Sequence, residues 1–327
     1  MAKSIRIILI LFVIVAVLAA IFELSAGQQK KEQYFLINRG QNLLQVANNL
    51  KAQGYIKSKI SFCFQVLKEQ KQNKILAGQY NLDNLSQEEI IKKITTGQSL
   101  PVLITIIPGN TIKDIGNLLE RNGIISRQKF LEFANASNSL AGEFLFLKDR
   151  PVEAGLEGYF YPDTYQIVKN NDINQIAKQI LNNFDQKLDF KIRQQAKEKN
   201  RSIFEIVTMA SILEKEVKSL EDKKIVAGIL WKRSDNKLPL EVDATLLYFQ
   251  TTNHPNLDDK SVDSLYNTYK YSGLPKGPIC NPSIESLQAA TNPKDSPYWF
   301  YLTADDGKTI YSKTLGEHLK NKAKYIK

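Results

Sequence analysis

At 327 residues the chain is long enough for two domains, and a hydrophobic content of 43% permits ordinary cores. The formal charge of +10 favours acidic partners, but Lys and Arg are dispersed with no basic run or nucleic-acid motif, so no nucleic acid is expected as a partner. Cys63 and Cys280 are too few for a disulfide scaffold, and His254 and His318 lack ligand partners at useful spacing, so neither a metal site nor a cofactor site is read.

Residues 7–22 are apolar without interruption, with Lys3 and Arg6 before them and Glu23 after. A membrane anchor and a secretory signal both fit such a run, and Ser25-Ala26-Gly27 offers a small-residue cleavage site. The apolar core is longer than most signal peptides carry, so the expectation is an uncleaved single span in residues 1–27, with its basic stub inside and the rest of the chain outside.

Beyond a polar linker the chain repeats itself. Phe35-Leu36-Ile37 reads as a strand, Gly40 as a turn, 43–53 as a helix closed by Gly54, 59–69 as a second helix and 76–82 as a return strand. The pattern recurs from Ile104: Gly40 and Gly109 stand 69 positions apart, as do Gly54 and Gly123. In this second copy, 127–134 is the second helix and 156–161 the return strand. A strand-helix-helix-strand unit resembles the LysM module, which binds cell-wall glycan; duplication kept only for packing explains the pattern equally well. Between the copies, Ser86 and Glu89 form a capping box for a helix to Thr96, and Gly97-Gln98-Ser99 ends it. The domain boundary is placed there, giving an N-terminal LysM-like domain at 28–99 and a second domain at 100–327, both α+β.

Residues 157–165 pack four aromatic rings beside two carboxylates. Glu157, Tyr159, Asp163 and Tyr165 are candidate sugar-binding residues, because aromatic faces match the C–H faces of a sugar and carboxylates its hydroxyls. The alternative is a strand and turn whose rings fill the core. An amphipathic helix is expected over 173–199, supporting the fold.

Ser202 with Glu205 is a second capping box, and the helix it opens is apolar on nearly every side to Leu213, which places it inside the domain. Into that run fall Glu214 and Glu216. A carboxyl at the end of an apolar stripe is expected to have a raised pKa and to serve as a general acid. Glu214 and Lys218 are equally well spaced for an exposed ion pair, and helix geometry does not choose between Glu214 and Glu216.

Ser219 can cap a following helix to about Arg233. Next comes Leu240-Glu241-Val242-Asp243, in which Asp243 is either a second acid or the N-cap of a helix over 244–249. Tyr266-Asn267-Thr268-Tyr269 and the segment from Gly273 to Pro282, with Asn281, are rich in Gly, Pro and Asn and read as shaped loops of the kind that carry sites. A helix over 283–290 and a buried strand over 298–302 complete the chain.

Ala210-Ser211-Ile212-Leu213-Glu214-Lys215-Glu216, the segment 157–165, Tyr266 to Tyr269, Gly273-Leu274-Pro275 and Gly277-Pro278-Ile279 together resemble the endolytic murein transglycosylase, or YceG-like, family over nearly the whole chain. Two departures stand out: Leu240-Glu241 where the family usually has Leu-Gln, and Asn281-Pro282-Ser283 where Asn-Pro-Gly is usual, neither expected to touch the acid. The resemblance implies a single-pass protein of the bacterial inner membrane whose catalytic domain lies outside the cytoplasm. It also implies cleavage of peptidoglycan glycan strands at the MurNAc-β-1,4-GlcNAc bond to give 1,6-anhydro ends, terminating strands near peptidoglycan synthases as partners. The family's catalytic acid maps onto Glu214. Glu241, Asp243, Tyr266, Asn267, Thr268, Tyr269 and Asn281 join the earlier candidates for substrate binding. A hydrolytic muramidase or glucosaminidase, with Glu241 or Asp243 as a second carboxylate, and a non-catalytic wall-binding scaffold are the rival functions.

Overall fold

The computed structural model describes residues 34–326 apart from 98–99, 137–139, 152, 169–171 and 254–259. The apolar run at 7–22 lies outside the described residues, and among the described residues no helix is long and apolar enough to cross a membrane. The described fold is mixed α+β, with twelve α-helices and three two-stranded antiparallel sheets. Two units separate, one of residues up to Pro101 with Val168–Asn170 and one of Val102–Ile167 with Asn171–Lys327.

In the first unit β1 (Phe35–Ile37) leads through Gly40, in the left-handed region at φ 84°, to Asn42, which caps α1 (Leu43–Ala52) reciprocally with Gln45. Ser58 caps α2 (Lys59–Lys68), and β2 (Gly78–Tyr80) returns antiparallel to β1 with Phe35 opposite Tyr80. The Ser86–Glu89 capping box opens α3 (Gln87–Thr96), which closes over the pair with Ile90, Ile91 and Ile94. Phe35, Leu50, Phe62, Val66 and Tyr80 are its fully buried partners, and each such side chain contributes on the order of 1.5–3 kcal/mol on leaving water.

The second unit begins with the same local grammar. After β3 (Val102–Thr105), Thr111 and Asp114 form the capping box of α4 (Ile112–Arg121), and α5 (Arg127–Ala136) follows. The return strand, however, is β4 (Thr164–Ile167), with Val102 opposite Ile167, and not 156–161. At Gly158 φ is 90°, and a Cβ there would meet Pro278 Cβ at 2.6 Å, so this stretch is an irregular buried turn pressed against another loop and cannot run as a ladder.

The helix expected over 173–199 is two helices, α6 (Ile173–Lys187) and α7 (Phe190–Glu198), separated at Leu188 with Asp189 capping the second. Next is α8 (Ile203–Glu216), started by the Ser202–Glu205 box and buried at every position from Ile206 to Leu213. It packs against α7, α9 (Leu220–Asp235), α10 (Asp243–Asn253) and α11 (Ile284–Thr291). Asp243 is the first residue of α10 and not the cap preceding it. The buried strand expected at 298–302 is the partly exposed β5 (Phe300–Thr303), hairpinned to β6 (Thr309–Ser312) and followed by α12 (Leu315–Tyr325).

Candidate active site

The last turn of α8 carries Glu214 to the start of α11. The Ser283 and Ser286 hydroxyls each donate to Glu214 Oε2 at 2.6 Å, the Ser283 backbone N–H donates at 3.0 Å, and Lys223 Nζ of α9 lies at 3.3 Å. All four reach Oε2, and among the described residues nothing donates to Oε1. The Glu214 side chain is 11% exposed and that of Lys223 4%, so this is a nearly enclosed ion pair, formed with Lys223 and not with Lys218. Burial alone would raise the Glu214 carboxyl, but the two hydroxyls, the backbone N–H and Lys223 outweigh it and hold the carboxyl below the ordinary 4.5. The raised pKa expected from the apolar stripe is therefore overturned in the free protein: stripe and burial are present, but the donors converging from α9 and α11 stabilise the anion more.

The loop that delivers Ser283 is tied down residue by residue. Ser211 Oγ of α8 accepts from Ile279 N–H at 3.0 Å, and Asn281 exchanges backbone hydrogen bonds with the 109–110 turn. Asn281 Oδ1 accepts from Phe160 N–H at 2.8 Å, and its Nδ2 donates to Asn110 O at 2.9 Å and to Glu157 at 3.2 Å. Glu157 in turn accepts from Ile112 N–H at 3.1 Å and from Tyr248 O–H at 3.1 Å. Burial pushes the Glu157 carboxyl up to about 7, against the opposing pull of the Ile112 N–H, the Tyr248 hydroxyl and the Gly158 N–H.

The other candidates divide by exposure. Tyr159 is fully buried among Phe146 and Phe184, and Tyr165 is buried with its hydroxyl donating to Tyr161 O at 2.6 Å. Asn267 and Thr268 are buried as well, Asn267 holding the carbonyls of Lys260 and Val262 and Thr268 accepting from Val242 N–H at 3.0 Å. These four shape loops and the core. Asp163 is exposed and accepts from Asn183 at 3.0 Å, and Tyr266 stacks at an angle on Tyr248 with centroids 5.2 Å apart.

Glu241, Asp243 and Tyr269 meet elsewhere, in a cleft of about 500 Å³ that Glu216 also lines. There Glu241 pairs with Arg233 at 2.5 Å, and Asp243 accepts from Tyr269 O–H at 2.6 Å with Lys260 at 3.4 Å. Glu216 accepts from Tyr301 O–H at 2.9 Å and from the Ala244 N–H at the start of α10; burial pushes its carboxyl up to about 6. Among the described residues no group of three or more His, Cys, Asp and Glu side chains converges to hold a metal ion.

A model of the YceG-like family matches residues 35–324. The chain belongs to the YceG-like family. Among relatives of this YceG-like chain, an endolytic murein transglycosylase of Bacillus subtilis is 30% identical over 305 residues, covering 89% of this chain and 84% of that protein. One of Streptococcus pneumoniae is 29% identical over 319 residues; the match covers 89% of this chain but only 58% of the pneumococcal protein. The crystal structure of a yceG-like protein of Listeria monocytogenes superposes with a TM-score of 0.61 at 28% identity, covering 89% of this chain and 99% of that one.

Within this YceG-like chain, sequence reasoning missed Lys223, Ser283, Ser286 and Tyr161. Ser283 was in view as a departure from Asn-Pro-Gly that was not expected to touch the acid, yet its hydroxyl donates directly to it. Tyr161 is buried, and its hydroxyl accepts from the Ile284 N–H; burial raises its pKa, and the Asp163 and Glu214 charges add to that. Local sequence held no signal for Lys223, because its approach to Glu214 requires the turn between α8 and α9 to fold one helix back on the other.

Proposed function

We propose that this chain is an endolytic peptidoglycan lytic transglycosylase whose single acid and base is Glu214. The observation that carries the reading is the asymmetry of that carboxyl, anchored at Oε2 by four donors while Oε1 has none among the described residues. Such anchoring fixes which oxygen can exchange a proton with a substrate, and a lytic reaction needs one group that does so twice. Protonated at Oε1, Glu214 donates to the glycosidic oxygen as the bond from MurNAc C1 breaks. The C6 hydroxyl of the same sugar then attacks C1, and Glu214 takes its proton, closing the 1,6-anhydro ring and restoring the acid. Burial favours the protonated form used first, and the four donors favour the carboxylate used second. The names of the relatives support the substrate class, and the resemblance in the motif around α8 supports the role of Glu214.

The membrane run at 7–22 would tether the enzyme beside nascent strands and their synthases, where internal cleavage terminates elongation. The strand-helix-helix-strand order of the first unit supports a LysM-like glycan-binding role for 28–99. Asp163, Tyr266, the exposed Glu241 and Asp243 and the half-buried Tyr269 are the remaining candidates for contacts to the sugar chain.

A second reading has its own observation. Glu216, with its carboxyl up to about 6, and Asp243 line one cleft, the paired arrangement that a hydrolytic muramidase requires. Against it, Glu216 is engaged with Tyr301 and the N-terminus of α10, a structural role. Digestion of purified glycan strands, with products weighed by mass spectrometry, separates the two. Products lighter by one water than hydrolysed strands are expected, and free reducing ends would sink the lytic assignment.

A further inference from the structure

Helix α2 is apolar on two opposite sides. Phe62 and Val66 are fully buried in the first unit, whereas Ile60, Phe64 and Leu67 are 76%, 68% and 53% exposed. At about 100° per residue these three fall on one strip, spaced i, i+4 and i+7, directed away from Phe62 and Val66. Nothing in the folding of the unit accounts for a Phe, an Ile and a Leu side by side in water.

The flanks of the strip are cationic. Between positions 57 and 74 lie Lys57, Lys59, Lys68, Lys71 and Lys74 against one acid, Glu69. Glu69 is taken by Lys71 at 2.7 Å, so the positive charge beside Ile60, Phe64 and Leu67 is unbalanced. An apolar strip rimmed by lysines is the pattern of a helix seated in the interface of an anionic bilayer, where the strip enters the acyl boundary and the ammonium groups meet lipid phosphates. A glycan needs polar partners for its hydroxyls beside an aromatic face for its C–H groups, and Ile60, Phe64 and Leu67 offer no polar side-chain atom. Position in the chain agrees: only residues 23–33 separate the apolar run from Tyr34, a tether that reaches under about 40 Å even when fully extended. Such a tether keeps the first unit at high effective concentration at the membrane surface.

We propose that Ile60, Phe64 and Leu67, with Lys57, Lys59 and Lys68, dock the first unit onto the anionic leaflet from which the chain emerges. This rests on the reading of 7–22 as a membrane span. The test uses the full chain carrying Phe64→Trp in nanodiscs whose lipids are brominated along the acyl chain, with about a third phosphatidylglycerol. The otherwise unaltered chain supplies the background from Trp231 and Trp299. The added emission is expected to fall roughly twofold. Each lysine contributes about a fivefold bias toward the docked state, so Lys57→Glu with Lys59→Glu should abolish the quenching, as should all-phosphatidylcholine lipid. Emission from the Phe64→Trp indole that bromine leaves untouched in the anionic discs overturns the proposal. So does cross-linking of the full chain to a second copy through Phe64→Cys, which would make another copy the occupant. A full chain that fails to incorporate into discs at all would sink the membrane-span reading instead, and flotation of the discs distinguishes the two failures.

Discussion

Glu214 is set by two opposing forces, burial and four donors, with the donors prevailing, and the donors can be removed one at a time. Glu214→Gln keeps the side-chain shape but has no proton for a leaving oxygen, so kcat is expected to fall on the order of 10²- to 10⁴-fold with the fold intact, while Glu216→Gln retains far more activity. A folded Glu214→Gln protein that cuts strands at near wild-type rate would reject the assignment. The acid form is the active one, so kcat/KM of the free enzyme should fall as pH rises above the depressed Glu214 pKa. Ser286→Ala and Ser283→Gly each remove a hydroxyl donor at 2.6 Å, and that descending limb should move to higher pH in both. A limb that stays in place would show that the hydroxyls do not tune the acid. Glu157 works in the opposite sense. Its folded-state pKa of about 7 lies above the ordinary 4.5, so between those values the native state binds more protons than the unfolded chain and stability falls as pH rises, by about 3 kcal/mol in all. Glu157→Gln mimics the neutral acid, and its melting temperature should fall less between pH 5 and 8 than that of the wild type.

At the scale of elements, the site depends on an irregular turn and a loop that meet over α8. Gly158, at φ 90°, has no room for a methyl group between Pro278 of that loop and Val207 of α8. Gly158→Ala should cost about 1–3 kcal/mol through backbone strain and overpacking, visible as a lower denaturant midpoint. Activity should fall beyond what the lost stability explains, because the displaced loop carries Asn281 and Ser283. A variant as stable and active as wild type would mean that the contact is not needed. The same approach explains why the second copy of the repeat departs from the first. Where the first copy closes with a simple return strand, β2, the second gives up 156–161 to the turn and pairs β3 with β4.

For the whole molecule, the two units have separate cores, one built on Phe35, Phe62 and Tyr80 and one spreading around α8. A binding module on the same chain acts by raising local substrate concentration, so deletion of 33–97 should weaken binding to polymeric wall more than cleavage of short strands. Equal loss on both substrates would make the first unit part of the catalytic fold.

Much of the local structure was legible in the sequence because its causes lie within a few residues. Ser86 with Glu89 and Ser202 with Glu205 announce helix starts since each side chain meets a backbone group three positions away, and all four make those bonds. The repeat likewise shows in its paired glycines, and the structure adds a matching capping box to each copy, Asn42 with Gln45 and Thr111 with Asp114. The apolar run into Glu214 told that α8 is buried, since burial of a helix is written in its own residues. What the carboxyl meets there was not, because its partners come from Lys223 on the next helix and from Ser283 and Ser286 some seventy positions on. Only the packing of α8, α9 and α11 against one another brings those donors to one oxygen. The sign of a buried acid's pKa shift follows from that convergence and not from the apolar stripe, since hydrogen bonds and charge within a few ångströms compete with desolvation on equal terms.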